Sequence, residues 1–195
     1  DRETLFESHL VSPIGDMTET EYYFLAAFLI VLLFMGFKFS CMYRQEEHAF
    51  YQEMKTRGLT GPMIGMMKVL VMTILLWFGA GVLYLGGCIF SQMTEAYFLW
   101  FEWGVLLKLI PFCMSMAAFF HLLYEMVGNH TEGTVFLLLI ELLMVLCSGI
   151  IIPISYFPEI VEKTALVNPI YYWQEILQKS LYHYGTNSAV MICLA

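Results

Sequence analysis

Four long apolar stretches, at about 22–39, 66–90, 97–127 and 134–152, constrain this chain more than any other feature. A helix needs ~20 apolar residues to cross the ~30 Å hydrocarbon core of a bilayer. Lipid offers the backbone no hydrogen-bond partners, so each stretch is expected to satisfy its own as a helix. The composition agrees. Hydrophobic residues make up 59% of the 195 residues and charged ones 13%, against about 25% charged in a soluble domain. A further apolar run opens near Ser188 and is incomplete at Ala195. The expected fold is an all-α polytopic membrane bundle with four full spans and the start of a fifth.

Charge gives the orientation. Asp1, Glu3, Glu7, Asp16, Glu19 and Glu21 crowd residues 1–21, with Arg2 alone opposing them. Lys38, Arg44, Lys55, Arg57 and Lys68, five of the nine basic residues, lie in or beside 40–65. Basic residues collect on the cytoplasmic side, so 40–65 is expected inside, with 1–21 and 153–186 outside. No basic surface is present, which argues against a nucleic-acid partner. The five cysteines are scattered, mostly in apolar runs, and none has metal-ligand or redox spacing. They read as small buried hydrophobes, and no metal site is expected.

Two interior regions are not simple spans. From Arg44 to Arg57 a helical pattern places Tyr43, Phe50 and Met54 on one face, at i, i+7 and i+11, with Glu46, Glu47, Gln52, Glu53 and Lys55 covering the others. Gly58 and the Gly61-Pro62 pair are expected to end it. An amphipathic cytoplasmic helix of this kind can dock on a partner groove or rest on the inner leaflet. The three glutamates disfavour the leaflet, which carries negative charge. The second region follows the run Ser148-Gly-Ile-Ile-Ile-Pro-Ile-Ser-Tyr-Phe-Pro158, whose prolines are expected to stop the fourth span. Beyond Asn168-Pro169, Trp173, Ile176, Leu177, Leu181 and Tyr184 share a face opposite Glu175, Gln178 and Lys179. This is the pattern of an outer re-entrant or interfacial helix, framed by Tyr171, Tyr172, Tyr182 and Tyr184 as an aromatic belt.

Three segments, in this order, resemble the permease family of ABC type-2 transporters, the membrane subunits of ATP-binding-cassette exporters. They are the charged helix from Arg44 to Gly58 followed by Lys68, the pair of stretches closed by a short turn over 98–152, and the run from Ser148 to Ile170. The resemblance implies a six-span permease, of which this chain would hold spans two to five, lacking the first span and most of the last. It implies two permease halves, as a homo- or heterodimer, and a separate ATPase subunit that carries the ATP and magnesium. This chain would bind no cofactor itself. The helix would be the coupling contact with the ATPase, through Arg44, Glu46, Glu47, Phe50, Met54, Arg57 and Gly58. Pro158, Asn168, Pro169 and Trp173 would build the outer interfacial helix. The location implied is a cell membrane, that of a bacterium.

Ionisable groups inside spans are costly and usually face a partner or a wet cavity. Glu102, Lys108 and Glu141 are therefore translocation or gating candidates, with Lys108 and Glu141 a possible ion pair and Glu102 near the outer interface. His121 and Glu125, at i and i+4, read as a capping or interfacial pair, with a proton relay as the functional alternative. Gly79, Gly81, Gly86 and Gly87 suggest close helix packing. The chain has no GxxxxGK[ST] phosphate loop, no HExxH and no GxSxG, so it is expected not to be an enzyme. A non-transporting membrane scaffold or regulator, docking a cytoplasmic partner through 43–57, is the alternative of another class. A cofactor-free intramembrane enzyme is the third.

Overall fold

A computed structural model describes residues 18–94, 99–127, 131–152, 156 and 158–182; for 43–51, 131, 132, 159, 161 and 162 it describes the backbone alone. Six helices run through them: α1 (Glu19–Thr56), α2 (Gly61–Met93), α3 (Trp103–Val127), α4 (Thr131–Leu146), α5 (Glu159–Ala165) and α6 (Pro169–Tyr182). The described residues contain no strand. Stretches of α1 (Glu19–Met42), α2 and α3 are long and apolar enough to cross a membrane, which suggests a membrane-embedded protein. The expected incomplete span at 188–195 lies outside the described residues, as does Tyr184.

The first and largest departure from the expected layout concerns α1. The first span and the cytoplasmic helix were expected as separate elements, but they form one helix of 38 residues. No glycine or proline falls between Phe37 and Thr56, so nothing in the backbone breaks the helix where charged residues replace apolar ones. Its start is fixed by a reciprocal capping box. The Thr18 amide donates to Glu21 Oε2 at 2.8 Å, and the Glu21 amide donates to Thr18 Oγ1 at 3.3 Å. Its end is the expected one. Gly58 takes φ +83°, its amide donates to the Lys55 carbonyl at 3.0 Å, and the Leu59 amide reaches the Met54 carbonyl at 3.2 Å. These two bonds make a Schellman cap, which needs a left-handed residue at Gly58. Pro62 then sits in the first turn of α2, where its missing N–H is harmless.

The chain divides into two compact units. In the unit spanning 27–143, α2 and α3 pack against each other. The buried stripe of α2 is Ile64, Lys68, Met72, Leu76, Gly79, Ala80, Tyr84, Gly87, Cys88 and Ser91, steps of three and four along one face. The stripe of α3 is Val105, Leu109, Phe112, Cys113, Met116, Ala117, Phe120 and Tyr124. Small residues recur in both, which lets helix axes approach in lipid, where packing replaces the hydrophobic drive. The remaining faces of α2 expose Leu70, Ile74, Phe78, Val82 and Ile89. A soluble helix would show polar residues there. Of the four glycines expected to pack, Gly79 and Gly87 are buried, Gly81 meets Leu106 only at ordinary contact, and Gly86 faces open space. Gly79 makes the tightest approach, against the end of the Met35 side chain of α1, and Gly36 of α1 is next, where a Cβ would lie 2.5 Å from Phe120 Cε2 of α3. Pro111 lies inside α3, which continues through it.

The third stretch was expected to be helical from Tyr97. Residues 99–102 are not helical, and α3 begins at Trp103. Two side chains of α2 hold this linker. Tyr84, fully buried, donates its hydroxyl to the Trp100 carbonyl at 2.7 Å and accepts the Glu102 amide at 2.9 Å. Ser91 Oγ accepts the Leu99 amide at 3.0 Å.

The other unit joins residues 1–26 to 144–195. The fourth stretch, only whose last residues belong to this unit, also departs from expectation. Its helix stops at Leu146, not at Ile152. With 16 residues α4 is about 24 Å long, short of the ~30 Å core; among the described residues three helices reach span length. Its end is local chemistry. Ser148 Oγ donates to the Val145 carbonyl at 2.7 Å and accepts the Ile150 amide at 3.3 Å. Gly149 turns left-handed at φ +83°, and its carbonyl accepts the hydroxyl of the buried Tyr22. Pro153 lies outside the described residues. Beyond it the expected single outer helix is two, α5 and α6, with Pro158 exposed at the N-cap of α5.

Candidate functional site

Three features could carry function: the C-terminal part of α1, the ionisable groups of the apolar helices, and a small cavity among three of them. They are taken in that order.

Glu19–Met42 of α1 is long and apolar enough to cross a membrane, and the helix continues to Thr56. The side chains of Tyr43, Arg44, Glu46, Glu47 and Phe50 lie outside the described residues. Beyond them Gln52, Glu53, Lys55 and Arg57 are exposed, and Met54 is half-buried. Arg57 is engaged within the chain. Its guanidinium meets Glu53 Oε1 at 2.6 Å, an i, i+4 pair with both side chains more than half exposed. Such a pair contributes about 0.3–0.5 kcal/mol. Gly58, at the tip, has open space around it.

The three ionisable candidates are not brought together. Glu102 is exposed just ahead of α3, where its amide is tied to Tyr84. Lys108 is exposed on α3. Glu141 is 6% exposed, and neither carboxyl oxygen has a hydrogen-bond partner among the described residues. The expected Lys108–Glu141 ion pair is therefore absent. Glu141 occupies the middle of the buried stripe Gly133, Leu137, Glu141, Val145. A carboxyl buried without a hydrogen-bond partner is costly to the fold. Its removal should help the fold. Glu141→Leu is expected to raise stability in detergent by about 1–3 kcal/mol, the cost of an unsatisfied buried polar group. Thermal unfolding followed by tryptophan fluorescence checks this.

His121 and Glu125 pair at i, i+4, with Nε2 and Oε1 3.9 Å apart. His121 also belongs to a group that the sequence did not bring together. Ser40 of α1, Lys68 and Met72 of α2, and His121 and Tyr124 of α3 line one small cavity of about 20 Å³. Lys68 was expected only as a charge flanking the second span, yet it is 9% exposed. Its Nζ lies 6.0 Å from the centre of the Tyr124 ring, within reach of a cation–π contact. Ser40 Oγ donates to Met72 Sδ at 4.0 Å, a weak bond. Gly65 makes room for the imidazole, since a Cβ there would stand 3.2 Å from Nε2.

The outer-helix residues form a structural clamp. Asn168, 7% exposed, donates Nδ2 to the Met144 carbonyl at 2.6 Å and accepts the Ile170 amide on Oδ1 at 3.1 Å. It caps α6 while holding the end of α4. Pro169 opens α6. Trp173, Leu177 and Leu181 are buried along its inner face, as the amphipathic pattern predicts, whereas Ile176 is only half-buried. Glu175 and Lys179 pair at 2.6 Å.

Comparison with protein-family models, curated proteins and solved structures finds no match for this chain.

Proposed function

We propose that this chain is the permease part of an ATP-binding-cassette exporter. ATP would be hydrolysed by a partner docked on the inner end of α1. The observation that carries this reading is the continuity of α1. At 1.5 Å per residue its 38 residues extend about 57 Å, nearly twice the ~30 Å core. An amphipathic helix resting on the leaflet would have to bend where the span ends, and α1 has no break there. A stiff rod ending in the tight Gly58 turn passes any push at its tip to α1 and α2 together. That is the mechanical requirement for coupling ATP-driven closure of a partner to rocking of the spans. The clamp at Asn168 and the early end of α4 suit the same architecture, a shortened span followed by short outer helices. Two such halves would enclose the translocation path, and Glu141 is its leading ionisable candidate.

A photo-crosslinking residue at position 54, in the natural full-length protein in its own membrane, tests the docking. Capture of an ATP-binding protein or domain is expected. Capture of a partner without an ATP site would favour the scaffold reading, and labelling of lipid alone would contradict both.

A further inference from the structure

We propose that the cavity between Ser40, Lys68, His121 and Tyr124 binds a phosphate group, that of an anionic phospholipid in the inner leaflet. Depth is the first argument. Ser40 lies about 31 Å along α1 from Glu19, and His121 about 27 Å along α3 from Trp103. Each distance is close to one hydrocarbon core. The cavity therefore sits at headgroup level, at the end opposite the acidic start of α1. Lys38, Lys55 and Arg57 lie toward this same end of the helices, which the charge asymmetry makes the cytoplasmic one.

The lining is the second argument. Lys68 brings an ammonium, Ser40 and Tyr124 hydroxyls, and His121 an imidazole, all able to donate to phosphate oxygens. Basic pockets between spans on the cytoplasmic side suit anionic headgroups. The Ser40 proton is spent on a thioether at 4.0 Å, so turning it to an oxygen gives up little. The cavity, about 20 Å³ and partly open, admits one oxygen while the rest of the phosphate stays at the mouth. Glu125, 58% exposed beside His121, is screened there by headgroup water.

The test uses the natural full-length protein in mild detergent. Its unfolding temperature is followed as phosphatidylglycerol, phosphatidylcholine or inorganic phosphate is added. Phosphatidylglycerol is expected to stabilise it more than phosphatidylcholine. Lys68→Met should weaken that effect about tenfold or more in half-saturating concentration, as loss of a charged hydrogen bond implies. Lys38→Met, at an exposed position, should leave it unchanged. Protection by inorganic phosphate with none from lipid would keep the phosphate site and assign it to a soluble anion. Equal protection of the wild type and Lys68→Met would overturn the proposal. Should Lys68→Met fail to fold, unchanged protection in both Ser40→Ala and His121→Ala would overturn it as well.

Discussion

Tyr84→Phe is expected to destabilise the protein by about 2–4 kcal/mol, although it removes a single oxygen. That hydroxyl ties the middle of α2 to two backbone groups, donating to the carbonyl at 100 at 2.7 Å and accepting from the amide at 102 at 2.9 Å. The ring is fully buried, so phenylalanine fills the same space and leaves no cavity. The carbonyl of Trp100 and the amide of Glu102 both lose a partner, at about 1–3 kcal/mol for each group that stays dry. Water reaching Trp100, which is exposed, keeps the total below the sum. Chemical unfolding in detergent measures the loss. Ser91→Ala, which frees only the Leu99 amide, should cost about half as much. If Tyr84→Phe were neutral, the α2–α3 linker would not be held as described.

The second large effect is expected at Asn168. Asn168→Ala removes the cap of α6, about 1 kcal/mol, and orphans the Met144 carbonyl. That carbonyl is among the last four of α4, which have no partner within the helix. Together these predict a loss of about 2–4 kcal/mol. The loss should be local to the unit holding α5 and α6, so limited proteolysis should cut first within 147–168. Asn168→Asp keeps the cap acceptor but cannot donate to Met144. It should recover only the capping part, and full recovery would show that the bond to α4 contributes nothing.

Particular residues show how much of this was legible in sequence. The membrane class followed from apolar run lengths alone. The end of α1 was legible because only glycine adopts φ +83° readily, and Gly58 stood where the helical pattern stopped. The inner face of α6 followed from the spacing of Trp173, Leu177 and Leu181. The continuity of α1 is not legible because a change of polarity after about Phe39 reads as a change of element, while the backbone there contains no breaker. The end of α4 was missed because Pro153 and Pro158 drew the boundary. The actual stop is Ser148 capturing a carbonyl and Gly149 turning left-handed, both quiet signals inside an apolar run. The Thr18-Glu-Thr-Glu21 capping box was readable and overlooked. The cavity was not readable. Its polar residues come from three helices separated by many residues, and each alone looked like a flank or a local pair. The absence of a Lys108–Glu141 contact has the same cause, since periodicity assigns a face but not a neighbour.

The central claim is that the projecting end of α1 couples this chain to ATP hydrolysis. The most direct measurement is vanadate-sensitive ATP hydrolysis in the purified natural full-length protein, compared with a variant carrying Phe50→Asp and Met54→Asp. The account predicts hydrolysis that accompanies the wild-type protein and falls about tenfold or more in the variant, because a charge placed in an apolar docking contact removes well over 1.4 kcal/mol of binding. A well-folded wild-type protein without such hydrolysis, or a variant with undiminished activity, would contradict it.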